Sequence, residues 1–227
     1  MTDFSLLDDP AWNALTTEHM ALGQLNGGAA RYRAELSPLA GLQAYDEAAF
    51  AQLRPLIEPE GAVGLVSASK YAVPSDWDVL QVVPVFQMVC ETPPTARGVG
   101  AVQLTVADAP EMLELATATE PGPFRLGTIG MGHYFGLRAE DGRLMAMSGE
   151  RMRLDGLTEV SAVCTWPEFR GRGLAKALVS HVSALIGAEG RVPFLHVKTE
   201  NAGAIALYEK LGFAVRAQLD FTVVRPR

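Results

Sequence analysis

The sequence has little cysteine, no excess of positive charge and no long apolar run. Only two of its 227 residues are cysteines, Cys90 and Cys164, and neither belongs to a C-x-x-C pair, so we expect reduced thiols in the cytoplasm. The formal net charge of −7 argues against nucleic acid or an anionic membrane as the main partner. No apolar run approaches the ~20 residues of a membrane span. The acidic start, with no apolar segment behind it, predicts no signal peptide.

The remaining composition is that of an ordinary globular protein. It is 48% hydrophobic and 20% charged, which allows a sizeable core. Its four histidines show no spacing typical of a metal site, so no metal is predicted. Residues 92–98 contain two prolines and lack periodicity, which predicts a linker. We therefore divide the chain into an N-terminal α/β subdomain, residues 1–95, and a second domain, residues 98–227.

The most informative stretch runs from Leu157 to Ala175 and combines a strand, a basic turn and a helix. Residues 157–166 are predicted to form the strand and residues 167–172 the turn, and the helix follows. A helix N-terminus presents unpaired N–H groups and a partial positive charge. Gly171 and Gly173 let a ligand approach the backbone closely, and two arginines add charge-assisted hydrogen bonds. This stretch therefore predicts a cradle for a phosphorylated ligand.

Two motifs in this part of the chain resemble those of one known family. Arg170, Gly173 and Ala175 fit the pattern Q/R-x-x-G-x-G/A, and residues 201–213 fit N-x-x-A-x-x-x-Y-x-x-x-G-F. From about residue 98 onward, the sequence resembles the GNAT (Gcn5-related N-acetyltransferase) superfamily, most closely its FR47-like branch. The resemblance implies an α/β GNAT fold, a mixed and mostly antiparallel twisted sheet flanked by helices. Residues 1–95 would then be a packing subdomain that completes one wall of the site, or a degenerate GNAT half.

The resemblance also implies acetyl-CoA as cosubstrate, with its pyrophosphate in the turn. The backbone at the end of the strand would pair with the pantetheine amides, as a ligand adds itself to a splayed strand. In the second motif, the Asn would contact the pantetheine arm and the Tyr hydroxyl would face the sulfur. The predicted acetyl-CoA-binding residues are Val163, Cys164, Thr165, Arg170, Gly171, Arg172, Gly173, Leu174, Ala175, Asn201 and Tyr208.

Amide formation from an amine and a thioester needs a proton acceptor, a stabilised oxyanion and a proton for the leaving thiolate. Glu159 is the predicted base, because Gcn5-type enzymes carry their general base at this position, and burial should raise its pKa. Strand alternation predicts that Glu159, Ser161, Val163 and Thr165 share one face. Tyr208 is the predicted general acid. Glu150, in the preceding strand, is the reserve base or a partner for an ammonium group.

The acceptor is predicted to be an amine that attacks directly in a ternary complex. A small-molecule amine, an amino acid and a peptide N-terminus all stay open, as does a homodimer. Phe124, His133 and Glu150 are the predicted substrate-binding residues, with residues 121–125 as a lid or a plain loop. A coenzyme-A-binding sensor without catalysis is the main alternative. A dinucleotide-binding oxidoreductase is disfavoured, because Lys176 replaces the third glycine of G-x-G-x-x-G.

Overall fold

The computed structural model describes residues 2–95 and 100–227. Part of the predicted linker and the start of the predicted second domain fall on residues 96–99, outside the described residues. The described chain forms five α-helices: α1 (Pro10–Leu15), α2 (Glu47–Leu53), α3 (Ala109–Thr119), α4 (Leu174–Ala188) and α5 (Ala202–Glu209). It also forms eleven strands: β1 (Gly23–Asn26), β2 (Ala29–Tyr32), β3 (Leu39–Leu42), β4 (Val63–Ser67), β5 (Trp77–Val89), β6 (Val102–Gln103), β7 (Tyr134–Arg138), β8 (Leu144–Leu154), β9 (Leu157–Thr165), β10 (Val192–Lys198) and β11 (Ala214–Pro226).

All these strands belong to one sheet, in the order β1-β2-β3-β4-β11-β5-β10-β9-β8-β7-β6. β3 pairs parallel with β4, and β9 pairs parallel with β10. The other neighbours are antiparallel. The sheet is therefore mixed and mostly antiparallel, and the helices flank it, which confirms the predicted fold class.

The strand order is symmetric about the contact between β11 and β5. On each side of that contact a strand, a helix and a second, parallel strand follow one another: β3, α2 and β4 on one side, and β9, α4 and β10 on the other. β5 comes from the N-terminal part but lies between β10 and β11. A degenerate copy of half the fold would give this arrangement. The boundary between the two parts stays a prediction, because one sheet runs through both.

Helices cover both faces of the sheet around β10. Leu195 and Val197 pack with Val182 of α4, whereas Phe194 packs with Ala11 of α1 on the opposite face. Successive side chains of a strand point to opposite faces. The sequence predicts this alternation over residues 193–199, with Leu195 and Val197 on one face and Phe194 and His196 on the other, and these contacts confirm it.

Asp46 and Asn201 predict the starts of two helices from the sequence, and the structure confirms both. Asp46 precedes α2, and its Oδ1 accepts a hydrogen bond from the Ala49 N–H at 2.8 Å. Asn201 precedes α5, and its Oδ1 accepts from the Ala204 N–H at 3.1 Å. Both side chains satisfy N–H groups that have no partner within the helix.

The first elements of the chain differ from what the sequence predicts. Asp9-Pro10 predicts a helix start, followed by a rough helical stripe that runs to Leu22. α1 starts at Pro10 but ends at Leu15. Thr16 and Thr17 turn their hydroxyls back onto the carbonyls of the preceding turn, a local bond that competes with helix continuation.

Residues 31–36 are predicted to form a strand, but the strand is displaced to β2, which pairs with β1 in a hairpin. Alternation predicts a strand from Val99 to Val106, but the structure reduces it to β6, and Val99 lies outside the described residues.

Within residues 2–95 and 100–227, no helix combines the length and the apolar character that crossing a bilayer requires.

Candidate active site

The two parallel strands at the centre of the site separate after three residue pairs. β9 and β10 pair at Leu157–Val192, Thr158–Pro193 and Glu159–Phe194. Beyond that point β9 continues along β8 to Thr165, and β10 continues along β5 to Lys198. Each strand is therefore held on its outer edge only, and a wedge opens between residues 160–165 and residues 195–198. The inner edge of such a wedge offers backbone groups to an extended ligand.

A glycine-containing turn lies at the open end of this wedge, between β9 and α4. Gly171 and Gly173 have φ values of 78° and 76°, in the left-handed region that glycine adopts without strain. A Cβ atom built at either glycine would meet nothing within 4 Å. Gly173 is the N-cap residue of α4 and carries no capping side chain, so Leu174 and Ala175 begin the helix with free N–H groups.

The side chains around this turn are basic. Arg170 and Arg172 are both exposed. The Arg170 Nε lies 3.4 Å from the Thr165 carbonyl oxygen, and the Arg172 guanidinium lies 5.1 Å from the centre of the Phe169 ring. This turn has the features of a phosphate-binding site: open space beside two glycines, a helix N-terminus and two guanidinium groups. The residues present therefore fit the pyrophosphate of acetyl-CoA.

A β-bulge interrupts β9 at Ala162, which has a φ of 51°. Ala162 and Val163 together lie opposite one residue of β8, because the register shifts between the pairs Met147–Cys164 and Gly149–Ser161. The bulge turns Val163 toward α4, where it packs in the same cluster as Val160. The prediction that Val163 shares the face of Glu159 is therefore wrong, since simple alternation holds only in an uninterrupted strand.

Beyond the bulge, Cys164 and Thr165 end β9. The Thr165 Oγ1 is buried and has no hydrogen-bond partner among the described residues, so the fold leaves this hydroxyl unsatisfied. The Cys164 thiol contacts the Ala162 carbonyl oxygen at 3.4 Å, and burial raises its pKa to about 12. A thiol that stays protonated is a poor nucleophile.

Tyr208 lies on α5 and faces both rims of the wedge. It packs in one cluster with Val160 of β9 and Val197 of β10, and it is 7% exposed. Burial, followed by the nearby Cys164, raises the pKa of its hydroxyl to about 12. The hydroxyl is thus a proton donor at neutral pH. Asn201 lies at the N-terminus of the same helix, where it serves as the cap described above.

Glu159 does not have the raised pKa predicted from its burial. Its carboxylate is fully buried, and Arg151 donates to it twice, from Nε to Oε2 and from Nη2 to Oε1, each at 2.7 Å. His196 Nδ1 lies 2.8 Å from Oε1. Burial acts to raise the pKa, but the Arg151 charge and these hydrogen bonds outweigh it and hold the pKa of Glu159 at about 2. Such a carboxylate does not take up a proton at neutral pH.

Comparison with known proteins decides the family. The FR47-like protein family matches residues 134–222. A crystal structure from Novosphingobium aromaticivorans DSM 12444, described as an acetyltransferase from the GNAT family, has a TM-score of 0.90 and 41% identity over 97% of this chain and 98% of that chain. The chain belongs to the GNAT family. The predicted family and the predicted enzyme class, an acyltransferase, are thereby confirmed.

Two further relatives mark how far the similarity extends. The GCN5-related N-acetyltransferase from Kribbella flavida shares the fold, with a TM-score of 0.62 and 16% identity over 96% of each chain. The ribosomal protein bS18-alanine N-acetyltransferase of Salmonella typhimurium (strain LT2) is 38% identical over 74 residues, which are 32% of this chain and 49% of that protein. The chain thus spans about half the length of this curated relative.

The ion pair of Arg151 and Glu159 should make the free energy of unfolding of this GNAT protein depend on pH. Because the pKa of Glu159 lies below its unfolded value, its contribution is present above pH 4.5 and is lost as the pH falls toward 2. The full contribution is about 3 kcal/mol, and about 2 kcal/mol of it should be lost by pH 3. Urea unfolding at pH 7 and at pH 3 measures this. Between these two pH values, the free energy of unfolding of Glu159→Gln should fall by about 2 kcal/mol less than that of the parent. Equal losses would contradict this assignment.

Gln87 of β5 connects the N-terminal part of the chain to this ion pair by hydrogen bonds. The Gln87 Nε2 lies 2.9 Å from the Leu7 carbonyl oxygen and 3.0 Å from His196 Nε2, while its Oε1 accepts from Arg216 at 2.8 Å. The amide therefore donates to His196 Nε2, so the imidazole proton sits on Nδ1 and points to Glu159. One polar chain thus connects β5, β10, β9 and β8 on the face of the sheet opposite α4.

The predicted substrate-binding residues do not converge on one point. Phe124 lies in the loop after α3 and packs edge-on against Tyr134, with ring centres 5.9 Å apart. His133 and Glu150 do meet, with Nδ1 and Oε2 3.2 Å apart. They belong to a separate charged cluster, in which Arg153 contacts both Glu150 and Glu189.

This charged cluster also contains a group of side chains with metal-ligand geometry. Atoms of His133, Glu150 and Glu189 all lie within 4.8 Å of one another. Arg153 Nη2 already lies 2.6 Å from Glu189 Oε2, so a guanidinium rather than a metal ion balances these carboxylates. No metal is therefore assigned to this group.

Sequence reasoning missed three residues of the site: Arg151, Gln87 and Tyr134. Arg151 could have been found from the hairpin between β8 and β9, because residues near the turn of a hairpin lie opposite one another. Gln87 carried no such signal, since its place beside β10 depends on a strand from the N-terminal part lying inside the sheet.

Proposed function

We propose that this protein is an acetyl-CoA-dependent N-acetyltransferase that transfers the acetyl group to a primary amine by direct attack in a ternary complex. One observation carries the proposal. The open glycine turn at the N-terminus of α4 follows β9, and the Tyr208 side chain packs in one cluster with residues of both strands that bound the wedge.

Acetyl-CoA would be held along the whole wedge. Residues 170–175 would bind its pyrophosphate through backbone N–H groups and two guanidinium groups. The inner backbone of residues 163–165 would pair with the pantetheine amides, and the unpartnered Thr165 Oγ1 would supply one further hydrogen bond. Asn201 shapes the opposite rim by capping α5. When bound, acetyl-CoA supplies an acyl carbon activated as a thioester.

The transfer requires that a C–N bond forms, the C–S bond breaks, the amine loses a proton and the sulfur gains one. Tyr208 is suited to give the proton to sulfur, because its raised pKa keeps it protonated until a thiolate develops nearby. Glu159 is not suited to take the amine proton, so water accepts it, and solvent returns a proton to Tyr208 after each transfer. We assign Glu159 a positioning role instead, since its bonds to Arg151 and His196 fix the two strands at the point where they separate.

Because Glu159 is a weak base, it affects which class of amine the protein can acetylate. A terminal α-amino group has a pKa of about 7.7–8.0 and a lysine ε-amino group one of about 10.4. At neutral pH an appreciable fraction of α-amino groups is already uncharged, so an α-amine needs less help from a base. We therefore favour an α-amine, on a peptide N-terminus or a small molecule. The bS18-alanine acetyltransferase acts on an alanine of a ribosomal protein, which agrees with that class.

Replacing Tyr208 by phenylalanine should separate catalysis from binding. The change removes the proton donor but keeps the packing, so kcat should fall roughly 100-fold, whereas the Kd for acetyl-CoA should stay within about twofold. Thiol release measures the first quantity and calorimetry the second. Tyr71→Phe, in the N-terminal core, is the control and should leave both unchanged. An unchanged kcat in Tyr208→Phe would contradict the role of Tyr208.

The experiment that tests the function itself is a calorimetric titration with acetyl-CoA, followed by a screen of α-amines and peptides for acceptor-dependent thiol release. Micromolar binding together with turnover supports the proposal. Binding without turnover on any acceptor would favour the alternative, a coenzyme-A-binding sensor. Absence of binding to the folded protein would refute both.

A further inference from the structure

Tyr134 has a hydroxyl group that the fold encloses but does not satisfy. The side chain is 1% exposed, and its Oη has no hydrogen-bond partner among the described residues. Leaving a buried hydroxyl unpaired costs stability, and most such groups in folded proteins are paired. A phenylalanine would fill the same space without this cost, so the hydroxyl needs another explanation.

The backbone directs this side chain across the sheet. Tyr134 begins β7 and lies opposite Gly149 of β8, which in turn lies opposite Ser161 of β9. The tyrosine ring occupies the place of a Gly149 side chain, because a Cβ built there would lie 2.7 Å from the ring Cε1. The ring therefore crosses β8 and carries its hydroxyl toward β9.

The hydroxyl is thereby brought to the bulge of β9. Tyr134 packs in one cluster with Ala162 of the bulge and with Cys164, the residue after the bulge. Tyr208 approaches the same stretch of β9 from the α4 side. The loop residue Phe124 lies edge-on against the Tyr134 ring and closes the outer side of this cluster. The two tyrosines thus stand on opposite faces of the strand that would carry the acyl group.

We infer that the Tyr134 hydroxyl donates a hydrogen bond to the acyl oxygen of the bound thioester, on the acceptor face of the bulge. This inference rests on the proposed function. A donor at this place would stabilise the negative charge that develops on that oxygen when the amine attacks. The hydroxyl keeps its proton throughout: burial and the Glu159 charge raise its pKa, against the opposing charge of Arg151.

The test is Tyr134→Phe, which removes one oxygen atom. Because that oxygen is unpaired in the free protein, the Tm of the variant should be equal to or higher than that of the parent. Its kcat should fall roughly 10- to 100-fold, with the Kd for acetyl-CoA within about twofold. Tyr32→Phe is the matched stability control: the buried Tyr32 hydroxyl lies 3.0 Å from His19 Nδ1, so its loss should lower the Tm.

A second readout does not depend on turnover. In acetyl-CoA labelled with carbon-13 at the carbonyl, a hydrogen bond to the oxygen moves the carbonyl resonance downfield. The parent should show this shift on binding, and Tyr134→Phe should show less of it. An equal shift with an unchanged kcat would overturn the inference and leave the proposed function intact. A raised KM for the amine with an unchanged kcat would place the hydroxyl against the acceptor and also overturn it. If the parent binds no acetyl-CoA, the proposed function fails first and this inference with it.

Discussion

A glutamate in place of Gly173 is expected to abolish acetyl-CoA binding. The new side chain would enter the space beside the backbone where nothing now lies within 4 Å, and its carboxylate would repel the pyrophosphate. The φ of 76° at this position would also be strained for a residue with a Cβ atom. We expect the Kd to rise at least about 100-fold, or roughly 2.7 kcal/mol. Calorimetry on the folded variant measures it.

Gly190 provides a closely matched control at the opposite end of α4. Its φ is 74°, and a Cβ atom built there also meets nothing within 4 Å. Gly190→Glu therefore introduces the same charge and the same backbone strain, but far from the turn. Its Kd should equal that of the parent. If both variants lost binding equally, strain or net charge would explain the result, and the cradle at the turn would be refuted.

The part of the site that depends on consecutive residues could be predicted from the sequence. The strand, the glycine turn and α4 follow one another directly between Leu157 and Ala188, and their signals are local: glycines, a helix-forming run and an apolar stripe. The same holds for Asn201 and α5, where a cap and a periodic pattern mark the helix. The interactions that form these elements act between residues close together in the chain. Their signals can therefore be recognised in the local sequence.

The part that depends on the sheet could not be predicted in the same way. The bulge at Ala162 reverses the alternation of β9, and no glycine or proline marks it. The insertion of β5 between β10 and β11 joins residues about a hundred positions apart, and it alone brings Gln87 to His196. The prediction of a raised pKa for Glu159 is wrong for the same reason. The burial of Glu159 could be predicted from the sequence, but the charge of Arg151 beside its carboxylate could not.

Removing Arg151 should strongly destabilise the protein, because it would leave a buried carboxylate without its ion-pair partner. Arg151→Met would leave the Glu159 carboxylate buried with His196 as its remaining polar partner. Breaking a buried ion pair by removing one partner typically costs about 3–5 kcal/mol. Urea unfolding at pH 7 should show a loss of that size. Lys70→Met is the surface control, since Lys70 is 84% exposed where it meets Asp220, and it should cost about 1 kcal/mol or less.

The double variant Arg151→Met with Glu159→Met distinguishes a buried charge from lost packing. When both partners become apolar, no uncompensated charge remains, so the double variant should be more stable than Arg151→Met alone. It should nevertheless lose catalytic efficiency if the pair positions the two strands, because His196 would then have no acceptor for its Nδ1–H. A contrary result would be that the free energy of unfolding of the double variant falls by the sum of the losses in Arg151→Met and Glu159→Met. The two side chains would then be energetically independent. The positioning role assigned to Glu159 would then be wrong.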